Sequence, residues 1–316
     1  MSNLEASPEV TPCRTAEHGA VTELLRARTV PLGGVRGMQV DRVLPQRALP
    51  TVGTWCFLDQ FGPARSDMRV LPHPHIGLQT VTWPIAGEIR HRDSIGSDVV
   101  VRPGQLNLMT GGRGVAHSEF SLGSEPMLHG LQLWVALPRE STGVAPAFEQ
   151  HVSLPSYENG GLRATVLVGS LGEAVSPATV YTPIVGAELT VEPGAGAEVP
   201  LRPDFEYAVL LVQGEAVVAD TPLAVGPLLY LGTGRTSLPV SSARGARAVL
   251  LGGEPFPDEL VMWWNFVGRG HDEIAEARAG WEAGDTSRFG RVAGHGDARI
   301  PAPGLPGVRL TPRRRR

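Results

Sequence analysis

The run His73-Pro74-His75-Ile76-Gly77-Leu78-Gln79-Thr80-Val81-Thr82-Trp83-Pro84-Ile85-Ala86-Gly87-Glu88-Ile89-Arg90-His91-Arg92-Asp93 reads as a pair of histidines leading into two β-strands joined by a tight turn. Residues 78–85 carry the Val, Thr and Trp of a strand, Ala86-Gly87-Glu88 supplies the turn, and residues 89–93 return. Downstream, Arg102-Pro103-Gly104 turns the chain into another strand at 105–110, and Gly111-Gly112-Arg113-Gly114 bends it towards His117. That glycine-rich bend is not expected to cradle phosphate, because no Lys-Ser or Lys-Thr pair follows and the next segment reads as a strand. The same alternation continues along most of the chain, with Gly 39 and Pro 28 punctuating short apolar runs and little helical periodicity. An all-β sandwich or barrel architecture follows.

Within this frame two histidines two residues apart, His73 and His75, are followed by His117 and Glu119, again two apart; His73 and His117 are separated by 117 − 73 = 44 positions. Side chains at i and i+2 of a strand share a face, so two strands each offering such a pair can surround one ion. A lone strand histidine is ordinarily structural, and nine histidines produce some close pairs by chance. Two i,i+2 pairs, one with a carboxylate, favour a metal site, and Pro74 stiffens the backbone between the first two ligands. His18, His91, His129, His151, His271 and His295 lack the pattern; His91 and His129 are expected near the cavity without coordinating. Three neutral imidazoles and a carboxylate leave a divalent ion at net charge +1 and, in an octahedral field, two open positions. That set suits Fe(II), with Ni, Co, Mn, Cu or Zn as competitors, and differs from closed, Cys-containing structural zinc sites.

Composition bounds the rest. The 316 residues suffice for one large domain or two ordinary ones, and a formal net charge of −4 gives no long-range attraction to nucleic acid or an anionic membrane. No Lys occurs. Cys13 and Cys56 are too few for a disulfide framework or a thiolate metal site, so a reducing compartment is the default. Without a signal-like leader or about 18 consecutive apolar residues, the expected location is the cytoplasm. The segment from Asp272 to Trp281 is a helix candidate, with Asp272 as N-cap, Ile274, Ala277 and Trp281 on one face, and Gly284 just beyond. Met262-Trp263-Trp264-Asn265-Phe266 could form a ligand platform, though clustered aromatics more often fill cores. Trp55, Phe57, Trp83 and Met109 are candidates for lining the metal cavity.

An internal echo suggests two copies of one β-domain: Ile85-Ala86-Gly87-Glu88 and Val212-Gln213-Gly214-Glu215 lie in the same setting. If Gly87 matches Gly214, the positions equivalent to His73 and His75 are Pro200 and Arg202, and the second copy lacks the metal. A seam is expected at residues 140–165, where Pro138, Pro146, Pro155 and Gly160-Gly161 crowd a polar stretch.

The run His73-Pro74-His75-Ile76-Gly77, with Thr80-Val81-Thr82, His91-Arg92-Asp93-Ser94, Arg102-Pro103-Gly104, Met109-Thr110 and Gly112-Arg113-Gly114-Val115-Ala116-His117-Ser118-Glu119, closely resembles the pirin family of bicupins. Arg47-Ala48-Leu49-Pro50, Leu58-Asp59-Gln60-Phe61-Gly62-Pro63, Gly252-Gly253-Glu254-Pro255-Phe256, Trp264-Asn265-Phe266-Val267 and Ile300-Pro301-Ala302-Pro303 extend the likeness over residues 25–306. The resemblance implies an all-β protein of two stacked cupin barrels (double-stranded β-helix, or jelly-roll) with a few short helices. The expected division is a disordered tail at 1–20, a metal-binding cupin at 21–150, a cupin without metal at 165–306 and a basic tail at 307–316. Metal is implied at His73, His75, His117 and Glu119. Cupins commonly place a Glu four residues after the second His, where this chain has Gln79; that residue is open between a hydrogen-bonding role beside the ligands and simple packing.

The implied activity is that of a quercetin 2,3-dioxygenase, opening the central ring of a flavonol with O2 and releasing CO. Glu119 is the candidate base for the 3-hydroxyl proton. The family's alternative role is an iron-dependent redox-sensing regulator that binds a transcription factor or metabolic enzyme. No direct contact with nucleic acid or membrane is expected, and a monomer is. An oxygenase or isomerase acting on another enolic compound stays open, since fold does not fix substrate.

Overall fold

The computed structural model describes residues 11–13, 19–32 and 38–312. Most of the expected N-terminal tail and the Arg313–Arg316 run lie outside the described residues. Thr11–Cys13 departs from that expectation: its backbone pairs antiparallel with the strand Leu260–Trp263. Residues 307–312 are not a free tail either, because Leu310 is buried and its N–H donates to His271 Nδ1.

Two antiparallel barrels, each a long sheet packed on a short one, account for most of the chain. In the first, the long sheet runs Ala147–His151, Leu106–Thr110, Leu78–Ala86, Met127–Ala136, Trp55–Arg65, Met38–Leu44 and Arg28–Leu32 in spatial order; the short sheet runs Arg69–His75, Val115–Ser121, Ile89–Asp93 and Asp98–Val101. The second repeats the plan. Its long sheet is Ser156–Asn159, Leu162–Leu171, Ile184–Val191, Ala246–Gly253, Glu206–Gly214, Leu228–Gly232 and Ala20–Leu25, and its short sheet is Ala195–Pro200, Ser237–Ser242, Ala216–Val218 and Thr221–Leu223. Gly87 and Gly214 close the equivalent turns, with φ of 85° and 81°.

The barrels exchange strands. Ala20–Leu25 precedes the first barrel in the chain but pairs with Leu228–Gly232 of the second, whereas Ala147–His151 precedes the second barrel but pairs with Leu106–Thr110 of the first. Residues 21–25 therefore do not share a sheet with the first barrel as the sequence reading supposed; Leu25 buries itself between the barrels opposite Leu228. That interface is an extended apolar cluster that includes Trp55 and Trp83, whose indole N–H groups donate to Val185 O at 3.1 Å and Glu188 Oε2 at 2.7 Å.

Beyond Gly253 the chain returns to the first barrel. The hairpin of Leu260–Trp263 and Phe266–Gly268 lies against its end, where Ile76 bridges to Phe266. Gly77 permits this close approach: at φ +68°, a Cβ there would stand 2.0 Å from Val267 O. Trp263, Trp264 and Phe266 are buried in a cluster with helix α1 (His271–Glu282) and helix α2 (Thr286–Phe289), so the aromatic run fills a core and is not a ligand platform. Helix α1 buries Ile274, Ala277 and Trp281 on the expected face; its N-cap is Gly270, and Asp272 sits in the first turn, paired with Arg309. Among the described residues no helix is long and apolar enough to cross a membrane.

Candidate metal centre

The short sheet of the first barrel carries the site. His117 stands opposite His73 and Val115 opposite His75, so the alternation of both strands sends the three imidazoles inward while Pro74 and Ala116 face out. A bulge lies in Arg69–His75, where the three steps from His73 to Val70 face two from His117 to Glu119; Val115–Ser121 keeps its alternation, so Glu119 shares the face of His117 and stands opposite His91 in the register with Ile89–Asp93. All four expected ligands are buried.

The nitrogen and oxygen atoms form two overlapping groups within 4.8 Å, His73 with His75 and His117, and His91 with His117 and Glu119. The three histidines of the sequence reading thus meet directly, and Glu119 adjoins them through His117. His91, expected nearby, touches His117 with Nδ1 to Nδ1 at 3.4 Å.

Two of the imidazoles are held in the same way. His73 Nδ1 lies 2.9 Å from Leu71 O and His75 Nδ1 lies 3.1 Å from Asn265 O. A carbonyl only accepts, so both rings carry their proton on Nδ1 and leave Nε2 as a bare lone pair. His73 Nε2 is buried without a hydrogen-bond partner, and His75 Nε2 stands 3.1 Å from His117 Nε2. Burial pushes His75 down to about 3 and holds His73 and His117 well below the ordinary histidine range. A buried Nε2 of His73 with no donor to satisfy it, beside the convergent Nε2 atoms of His75 and His117, is what a divalent cation needs, and what a purely structural cluster would have to avoid. The residues fit a metal.

The facing sheet supplies two belts. Cross-strand partners share a face, so Phe148, Met109, Thr80, Trp134 and Phe57 form one row, in which Phe148 stacks on His91 with centroids 4.5 Å apart and Trp134 meets His75 edge-on at 5.3 Å. The next row runs Gln150, Asn107, Thr82, Gln132, Asp59 and Arg42. Thr82 Oγ1 donates to Glu119 Oε1 at 3.1 Å, fixing the carboxylate's rotation, and Arg42 forms a bidentate pair with Asp59, both bonds at 2.9 Å. Phe57 and Met109 are therefore on the site face as expected, whereas Trp55 and Trp83 belong to the inter-barrel cluster. Gln79 also points away: its amide donates to Thr110 Oγ1 and Thr179 O, both at 3.0 Å, so it ties the barrels together and does not support the ligands. His129 contacts Gln60 at 3.4 Å and is not in the cluster.

Three contributors escaped sequence reasoning. Asn265 acts through its main-chain oxygen, which no side-chain pattern reports. Thr82 was legible only as a strand residue. Asp93 repeats the i,i+2 spacing with His91, and that was the available signal. Its Oδ2 faces His91 Nε2 at 3.4 Å, while Oδ1 accepts from Ile95 N and Ser97 N at 3.0 and 2.8 Å. Burial pushes Asp93 up, but the bonds from His91 and Ser97 outweigh it and hold the carboxyl below its usual range.

In the second barrel Pro200 pairs with Ser237 at the position equivalent to His73 and His117, and the interior is an apolar cluster of Val, Leu, Ala, Phe and Tyr. Two stacked cupin barrels with ligating groups gathered, among the described residues, in the first alone define a bicupin with a candidate metal centre in that barrel. A family model described as Pirin matches residues 37–135, and one described as Pirin C-terminal cupin domain matches residues 186–290. A Pseudomonas aeruginosa protein provisionally named quercetin 2,3-dioxygenase is 44% identical over 312 residues, 97% of this chain and 98% of its own. A pirin-like protein of Caulobacter vibrioides is 38% identical over 270 residues, 82% of this chain and 92% of its own. The crystal structure of a quercetin 2,3-dioxygenase from Acinetobacter baumannii superposes with a TM-score of 0.86 at 40% identity, covering 91% of this chain and 96% of that one. The chain belongs to the pirin family.

Proposed function

We propose that this protein is a metal-dependent dioxygenase that opens the central ring of a flavonol such as quercetin with O2 and releases CO. The observation that carries the reading is the convergence of the Nε2 atoms of His73 and His75 on His117 in the buried interior of the first barrel. His73, His75, His117 and Glu119 would hold one divalent ion, Fe(II) by preference. Such an ion supplies Lewis acidity towards the substrate hydroxyl and redox access to dioxygen. Glu119, oriented by Thr82, accepts the 3-hydroxyl proton. The row of Phe57, Trp134 and Phe148 makes the wall facing the histidines aromatic, a chemistry compatible with a planar polyphenol. Similarity to proteins named quercetin 2,3-dioxygenase supports the substrate class. The protein acts as a cytoplasmic monomer in this reading, with the metal in the first barrel alone.

The test is oxygen uptake and CO release with quercetin by anaerobically Fe(II)-loaded protein, beside His75→Ala and Glu119→Gln. Metal-dependent turnover lost in both variants is expected. Stoichiometric metal without turnover would overturn the flavonol reading and favour a metal-dependent regulatory role.

A further inference from the structure

Trp134 lies two residues after Gln132 on the strand Met127–Ala136, so both side chains face the interior of the first barrel, and it is 1% exposed. Its ring stacks on Phe57 with centroids 4.0 Å apart and stands against His75 at 5.3 Å. The indole nitrogens of Trp55, Trp83 and Trp281 donate to Val185 O, Glu188 Oε2 and Ile300 O, whereas the buried Nε1 of Trp134 has no acceptor among the described residues. A buried indole N–H ordinarily finds a partner, because leaving it bare forfeits the hydrogen bond that water would have made. We infer that the indole N–H of Trp134 is a specificity-determining donor that takes an acceptor oxygen of the ligand held at the metal centre, and that this ligand is a planar enolate with a carbonyl beside its metal-binding oxygen. The inference rests on the proposed function and deepens it.

The lining selects that ligand by its chemistry. An indole nitrogen donates and does not accept, so its partner must bring a lone pair. The contact with His75 puts the indole beside the expected ion, within reach of a small molecule bound there. Such a molecule needs one oxygen for the ion and an acceptor for Trp134. An enolate with a neighbouring carbonyl offers both, and its shared negative charge strengthens the bond from the donor. Phe57, Trp134 and Phe148 make the wall facing the histidines aromatic, which favours a flat molecule over a saturated, hydroxyl-rich ring.

Trp134→Phe removes the donor and keeps an aromatic ring beside Phe57. The indole makes no hydrogen bond to any of the metal-binding groups, so the loss should fall on the ligand and not on the ion. A residue that only packs would behave otherwise. Trp134 shares its apolar cluster with Cys56, Leu78, Phe256 and Leu260, and loosening that cluster would lower metal and ligand affinity together.

The experiment measures, by absorbance, the Co(II) affinity of the full chain and of Trp134→Phe, and then the anaerobic affinity of each Co(II)-loaded protein for quercetin and for maltol, a small hydroxypyranone with the same neighbouring hydroxyl and carbonyl. Trp134→Phe is expected to bind both compounds about 10–100-fold more weakly, the loss for a hydrogen bond to a charged oxygen, with Co(II) affinity changed by less than about threefold. Ligand affinity within about twofold of the parent, as for a donor that meets only a trapped water, would overturn the inference, and so would equal losses of metal and ligand affinity. If the variant fails to fold, the indole N–H resonance of Trp134 in the unaltered, Zn(II)-loaded protein decides: a downfield shift of the proton on adding maltol is expected, and an unmoved resonance would overturn the inference. Binding of maltol without quercetin would remove the flavonol reading, and the maltol affinities would still decide the role of Trp134. Binding of neither would overturn both.

Discussion

Acidification of the metal-free protein should drain its stability through the buried histidines. His75 sits at about 3 in the folded state against an ordinary 6.5. Between those values the unfolded chain binds a proton that the folded chain refuses. Stability is therefore whole above about pH 6.5 and falls by about 1.4 kcal/mol per pH unit for each such ring as pH decreases. From pH 6.5 to 4.5 His75 alone costs about 3 kcal/mol, and His73 and His117 are displaced in the same direction by the same burial. Their sum is comparable to the whole stability of an ordinary domain, about 5–15 kcal/mol. Asp93, held low, loses its contribution only below the ordinary carboxylate range and does not act in this window. The assay is denaturant unfolding in chelator at half-unit pH steps, for the parent and His75→Gln. The variant should show a slope shallower by about 1.4 kcal/mol per pH unit, one proton's worth. A bound divalent ion should flatten the parent's curve, since metal and protons compete for the same lone pairs. Equal slopes for parent and variant, or a flat metal-free parent between pH 6.5 and 4.5, would refute the reasoning.

Asp59→Ala removes the carboxylate that meets the buried Arg42 guanidinium in two bonds and should cost about 3–5 kcal/mol by denaturant unfolding, while adding Arg42→Met should recover part of that loss. Gly77→Ala, at φ +68° with its Cβ 2.0 Å from Val267 O, should lift the C-terminal hairpin off the first barrel. A lower melting temperature together with weaker Co(II) binding is expected, the second because Asn265 O moves with the hairpin. Cys56 is fully buried, and burial pushes its thiol up to about 12. Its alkylation in native protein at pH 8, followed by peptide mapping, should be no faster than global unfolding.

The parts legible in the sequence were those written in short-range periodicity. The i,i+2 spacing of His73 with His75 and of His117 with Glu119, and the turns at Gly87 and Gly214, encode strands, faces and the repeat without reference to distant residues. Parts that depend on pairing partners were not legible. Gln79 follows the second histidine closely enough to suggest a role at the site, but strand alternation puts it with Val81 and Trp83 on the opposite face. Trp55 and Phe57 are equally aromatic in the sequence, and only the register shift opposite Trp134 and Val135 sends one to the interface and the other to the site. Asp272 has the composition of an N-cap, yet Gly270 takes that place because the helix already begins at His271. Nothing local in Ala20–Leu25 indicates that its partner lies in the other barrel.

The exchange of leading strands gives the chain a timetable. Leu25 must wait for Leu228, which is made 228 − 25 = 203 residues later, and the acceptor for His75 lies 190 residues further along. At about 5–20 residues per second, a ribosome needs about 10–40 seconds to cover either interval. During that time the first barrel's imidazoles exist without Asn265 O to orient His75, and the strand Ala20–Leu25 without the edge it covers. The imidazoles are thus made early and oriented late, and ion capture in the final geometry waits for synthesis of the hairpin that carries Asn265.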